Sequence, residues 1–143
     1  MSASTERLQL ALAAEHAAIY AYGVLGAHLT GDELAWARAG DLAHRQQRDA
    51  VADLITTASA TPAPAAPAYQ LPKPVTDRAG ALALGVQVET RAAAVWRSAL
   101  GSLSGTAREV ALDALVGSAV RGAQWRSVAE PGKSPTVTWP GGT

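Results

Sequence analysis

The chain has 143 residues, with 12 lysines and arginines against 12 aspartates and glutamates, three histidines and no cysteine. That length suits one domain with a real core and is short for two. A formal charge of zero offers no basic excess for nucleic acid or an anionic membrane, and the missing thiol excludes disulfides, zinc ribbons, iron–sulfur clusters and cysteine catalysis.

Alanine and leucine favour helix, while the β-branched and aromatic runs of strands are missing. The polar start, Met1 to Arg7, lacks the basic-then-apolar order of a signal peptide. No apolar run approaches the roughly 20 residues of a membrane span, so a soluble cytoplasmic chain is expected. Ser4 or Thr5 caps a first helix that runs to about Leu29. Thr30-Gly31-Asp32-Glu33 has the spacing of a capping box, a hydroxyl for an orphan amide and a carboxylate reaching back, and opens a second helix to about Ala58.

A strap over residues 59–75 follows, with prolines 62, 64, 67, 72 and 74. Proline fixes φ and removes donors, so this stretch is extended. About 15 such residues reach roughly 45 Å, whereas a helix of about 25 residues spans only ~37 Å. The strap can therefore cross the whole bundle and set helix three parallel to helix two, with Tyr69 and Leu71 as anchors. A flexible inter-domain linker is the rival expectation, opposed by the lack of a separate core in either two-helix half. Helix three begins at Thr76-Asp77 and ends near Leu103, where Ser102, Ser104 and Gly105 break it. Helix four runs from about Thr106 to Ala129, stopped by Pro131-Gly132. The expected organisation is a helical domain over 1–129 and an irregular tail over 130–143. Short turns within each helix pair predict two antiparallel hairpins.

Polar residues interrupt seams that should be apolar. Helix one carries Leu8, Leu12, Glu15, Ile19, Tyr22, Gly26 and Leu29 at alternating spacings of four and three, one face of a helix. Helix three repeats the arrangement with Leu82, Val86, Glu89, Ala93, Trp96, Leu100 and Leu103. Helix two gives Leu34, Ala37, Asp41, His44, Arg48, Val51 and Ile55. Glu15, His44 and Glu89 each lie about 15 residues from the adjoining turn, which sets them level at mid-height. Asp41 is one turn nearer the loop on the face of His44. A buried carboxylate costs several kcal/mol unless a cation, a proton or dense hydrogen bonding meets it.

The segments Ala14-Glu15-His16-Ala17-Ala18-Ile19-Tyr20-Ala21-Tyr22-Gly23, His44-Arg45-Gln46-Gln47-Arg48-Asp49 and Leu71-Pro72-Lys73-Pro74-Val75 resemble an actinobacterial ferritin-like domain family of unknown function, over residues 6 to 128. The resemblance implies an all-α, ferritin-like four-helix bundle, two antiparallel hairpins joined by a long Pro-rich crossover between helices two and three. Di-iron members of the wider superfamily use a Glu from each of two helices and Glu-x-x-His from each of the others. Glu15 and Glu89 match the lone glutamates, and Asp41-Leu42-Ala43-His44 matches one Glu-x-x-His with aspartate substituted. Helix four departs from the pattern. Its slot holds Ser118-Ala119-Val120-Arg121 or Ala119-Val120-Arg121-Gly122, and no Asp, Glu or His lies between Asp113 and Glu130. A standard two-metal centre cannot be assembled.

Two expectations compete for Glu15, Asp41, His44 and Glu89. The favoured one is a metal-free polar core with no cofactor, in which Arg48 and Arg121 supply buried counter-charge and Tyr22 supports the cluster; arginine stays charged and grips two carboxylate oxygens at once. The other is a single iron, manganese or zinc ion held by those four residues in an oxidoreductase with an altered centre. Asp41 also has an ordinary role open to it, paired on the surface with Arg38 or Arg45. His16 points about 100° away from Glu15 and suits the surface or a subunit contact. Tyr22 and Trp96 belong to the core, Trp36 and Trp125 lie at the edges of their stripes, and Trp139 anchors the tail. Leu112, Leu115, Val116, Ala119 and Ala123 form the apolar stripe of helix four, with Ser118 at its edge. Phosphate loops, nucleophile elbows and Ser/His/Asp triads are not recognisable. The expected function is a non-enzymatic module that binds a small ligand or a protein partner. A structural homodimer is the further alternative.

Overall fold

The computed structural model describes residues 1–142; Thr143, the end of the expected tail, lies outside them. The chain is all-helical, with no strand among the described residues: α1 (Ala3–Gly26), α2 (Gly31–Thr57), α3 (Arg78–Ala99) and α4 (Gly105–Ala129), plus a 3-10 turn over Leu100–Ser102 before α4.

Helix ends follow local chemistry, with two departures from expectation. Ser2 caps α1, its Oγ accepting the Thr5 amide at 3.1 Å, so α1 starts earlier than Ser4 or Thr5 would allow. Thr30 makes no side-chain cap on α2. The box does not close because Glu33 turns to Arg78, which grips both its oxygens at 2.9 and 2.5 Å, a paired charged contact stronger than one amide. Asp77 caps α3 by accepting the Gly80 amide at 2.8 Å.

Two apolar clusters fill the interior. One gathers Leu8 and Leu12 of α1, Val51 and Ile55 of α2, Trp96 and Ala99 of α3, and Ala111 and Ala114 of α4. The other gathers Tyr22 and Leu25 of α1, Ala37 of α2, Leu82 and Leu84 of α3, and Trp125 of α4. The polar residues of the seams lie between them.

Helix four presents a different face from the one hydrophobicity suggested. Its buried residues are Ala111, Ala114, Ser118, Gly122 and Trp125, while Leu112 and Val116 are 50% and 54% exposed. Volume explains the turn. The small residues let α3 and α4 approach closely around the indoles of Trp96 and Trp125, and a Cβ on Gly85 of α3 would come within 2.9 Å of the Trp125 ring. Trp125 is thus a core residue, with Trp36 packed edge-on against it at 5.9 Å.

The strap lies along α1. Gln9 donates to the Thr61 carbonyl at 2.7 Å and accepts the Ala63 amide at 3.0 Å. His16 lies 3.1 Å from the Ala63 carbonyl, Tyr69 packs on Tyr20 with ring centres 5.7 Å apart, and Leu71 and Val75 reach the second cluster. The tail is held by arginines: Arg126 donates to the Pro135 carbonyl and Arg97 to that of Pro140.

Candidate functional site

Each of the four helices contributes to a polar cluster at mid-height. α1 supplies Glu15 and Tyr22, α2 supplies His44, α3 supplies Glu89 and Trp96, and α4 supplies Arg121 and Trp125. Glu15, His44 and Glu89 are at most 1% exposed.

His44 is the centre of the arrangement. Its Nδ1 lies 2.6 Å from Glu15 Oε2 and its Nε2 lies 2.9 Å from Glu89 Oε1. Both ring nitrogens thus face carboxylate oxygens, so both donate and the ring is an imidazolium. Burial alone would pull the imidazole pKa down, but the two carboxylates prevail and push it up to about 9.

The carboxylates are held from other sides as well. Trp96 Nε1 donates to Glu15 Oε1 at 2.7 Å. Glu89 Oε1 accepts Tyr22 Oη at 2.5 Å and Arg121 Nε at 2.9 Å beside the His44 bond, and Trp125 Nε1 donates to Tyr22 Oη at 2.9 Å. Burial pushes the Glu89 carboxyl up, yet His44, Arg121 and Tyr22 together hold it below its ordinary value. Burial and the Glu89 charge push the Tyr22 phenol well above its usual range. Two carboxylates face one imidazolium and one guanidinium, so the cluster is neutral while every member is charged or hydrogen-bonded.

The structure thus brings together Glu15, His44, Glu89, Tyr22 and Arg121, and leaves two expected members outside. Asp41 is one-third exposed and accepts Arg45 Nε at 2.9 Å, an i,i+4 pair along the surface of α2. Arg48, expected as buried counter-charge, lies at the rim and donates to Asp49 at 2.8 Å. A half-solvated guanidinium with an adjacent aspartate has no need to enter the core. Arg48→Met should accordingly change stability by no more than about 0.5 kcal/mol in a denaturant titration, whereas a loss near 3 kcal/mol would return that side chain to the interior.

On α4, Arg121 reaches Glu89 and Ser118 is buried. Sequence reasoning missed Trp125 as a member. Its signal was the run 111, 114, 118, 122, 125 of small residues ending on an indole, a helical face defined by size rather than by hydropathy. Among the described residues no group of three or more His, Asp or Glu side chains is arranged to hold a metal ion.

Residues 7–143 match the model of a family described as a domain of unknown function, DUF4439, and the chain belongs to that family. Among solved structures it is similar to a conserved hypothetical protein, rv2844, from Mycobacterium tuberculosis, at 32% identity and a TM-score of 0.86, over 91% of this chain and 92% of that one. No curated protein matches. Among the described residues no helix is long and apolar enough to cross a membrane.

Proposed function

We propose that the protein is a ferritin-like four-helix bundle of two antiparallel hairpins joined by the strap, and that it works in the cytoplasm as a non-enzymatic binding module with an ionic lock in the place of a metal centre. The topology is supported by which helix ends share a cluster. The start of α1 meets the end of α2, and the end of α3 meets the start of α4. The ends of α2 and α3 also share that cluster, as a crossover strap requires.

The observation that carries the functional reading is the double bridge from His44 to Glu15 and Glu89. An ion at this height would need lone pairs from the imidazole and both carboxylates aimed at one point. Here both imidazole nitrogens point at the carboxylates themselves, and Arg121 supplies the second positive charge. The donor set therefore does not suit a metal, and the imidazolium does the electrostatic work an ion would do. Such a lock fixes four helices in register, leaving binding to the cavities and faces around it.

Elemental analysis of protein purified without chelator, from cells supplied with iron, manganese and zinc, tests this. The expected content is far below one ion per chain. One ion per chain, lost in His44→Ala, would establish the altered metal centre instead.

A further inference from the structure

Between the strap, α1 and α3 lies a cavity of about 90 Å³, partly open to solvent. α1 contributes Ala14 and Ala18 to its lining, α3 contributes Leu84 and Val88, and the strap contributes Leu71 and Pro72. The strap is seated around this space rather than collapsed into it. Tyr69 packs on Tyr20, its Oη accepts the Ala66 amide at 2.9 Å, and Pro72 and Pro74 keep the next residues extended. Against the apolar lining stand three exposed side chains with donors to offer, Gln70 of the strap and Gln87 and Arg91 of α3. No residue of the lining is acidic. The residues three and four positions from Arg91 along α3 are Gln87, Val88, Ala94 and Val95, so no helical neighbour pairs with its charge. The ion pairs among the described residues leave Arg91 out as well. The next cavity along the strap shares Pro72, Leu84 and Gln87 with this one, and the single charged residue in its lining is Lys73. The groove under the strap is therefore apolar, with a positive edge.

We propose that this cavity binds a short-chain carboxylate, its hydrocarbon chain against the alanine and leucine side chains and its carboxylate on the Arg91 guanidinium, with Gln70 and Gln87 as further donors. Charge and polarity together select the class. A cation would meet Arg91 and Lys73 with no acid in either lining. A small polar anion would leave the apolar lining in water, and a neutral chain would leave the guanidinium without a partner. An anionic head on an apolar chain satisfies both, and the planar fork of arginine matches the two oxygens of a carboxylate. The modest volume keeps the chain short. The site gives the binding-module reading a ligand and rests on it, and no member of the lock lines it.

The test is an amide NMR titration of the full ¹⁵N-labelled chain with sodium hexanoate, and in parallel with sodium acetate, hexylammonium chloride and 1-hexanol. Hexanoate should give saturable shifts confined to the neighbourhood of Ala18, Leu71, Val88 and Arg91, half-complete between roughly 0.1 and 10 mM, within the per-atom affinity ceiling for so small a ligand. Acetate, which lacks the chain, and hexylammonium, which reverses the charge, should each bind at least about tenfold more weakly. Arg91 is exposed, so Arg91→Met keeps the fold and the apolar stem while removing the charge. That variant should bind hexanoate about tenfold more weakly and 1-hexanol as the wild type does. Non-saturating or scattered hexanoate shifts, equal binding of acetate or hexylammonium, or undiminished hexanoate binding to Arg91→Met would each overturn the proposal. So would a matching loss of 1-hexanol in that variant, since the arginine would then shape the cavity rather than hold the head group. Metal content of the same sample keeps the two failures apart: metal-free protein that ignores hexanoate loses only this site, whereas one ion per chain overturns the reading beneath it.

Discussion

His44→Ala should destabilise the protein by roughly 3–5 kcal/mol, the range for breaking a buried ion pair by removing one partner. The substitution deletes the imidazolium and both of its bridges at once. Glu15 is left with the Trp96 indole alone, and Glu89 with Tyr22 and Arg121. Neither carboxylate can reach water, since each is at most 1% exposed. For a single domain whose total stability is about 5–15 kcal/mol, this is a large fraction, visible as a fall in Tm on the order of 10 °C. A second change separates charge from packing. If the penalty comes from the stranded carboxylate, Glu15→Gln in the His44→Ala background should recover about 1 kcal/mol or more, although Glu15→Gln alone destabilises the wild type. A loss below about 1 kcal/mol in His44→Ala, or no recovery in the double variant, would mean that the cluster is not an ionic lock.

The membership of this lock was only partly legible in the sequence, for physical reasons. Glu15 and Glu89 occupy seam positions flanked by Leu12 and Tyr22, and by Val86 and Trp96, where an isolated charge stands out against apolar neighbours. His44 stands out likewise. Choosing the counter-charge was harder, because Arg48 lies one turn along α2 from His44, Arg121 stands on the fourth helix, and a long guanidinium stem reaches inward or outward equally well. Asp49 decides for Arg48 by offering a partner at the surface, whereas Arg121 has Glu89 opposite it. Helix four was misread because hydropathy ranks Leu112 and Val116 above Ala111, Ala114 and Gly122. Its orientation is set by the volumes of Trp96 and Trp125, which demand a small face opposite them. That demand arises from residues far away in sequence, so no local periodicity displays it. The helices themselves were readable because caps, prolines and the alanine-rich composition all act locally. Glu89 Oε2, which has no hydrogen-bond partner among the described residues, was not, since its isolation follows from three donors converging on the other oxygen.

The same cluster predicts an unusual alkaline limb in the stability profile. The pKa of His44 is raised to about 9 in the folded chain by Glu15 and Glu89, against an ordinary value of 6.5. The folded state therefore holds a proton that the unfolded chain releases. The contribution of His44 is complete below about pH 6.5 and is lost as pH rises through about 9, amounting to roughly 3 kcal/mol. Tyr22, whose phenol pKa is raised by burial and by Glu89, extends the loss above pH 10, where the unfolded tyrosine ionises and the folded one does not. Glu89 acts in the opposite direction. Its pKa is lowered, so its contribution is present above the ordinary carboxylate value and disappears as pH falls through the folded one. Urea titrations should therefore find maximal stability between about pH 5 and 7 and a marked fall by pH 9, well before lysine or arginine titrates. In His44→Ala the fall between pH 6.5 and 9 should be absent, because no imidazolium remains to lose its proton. A wild-type profile that is flat across that interval would mean that His44 is neutral in the folded state. One of the carboxylates would then have to carry the bridging proton, and the lock would lose the charge on which its stabilising role depends.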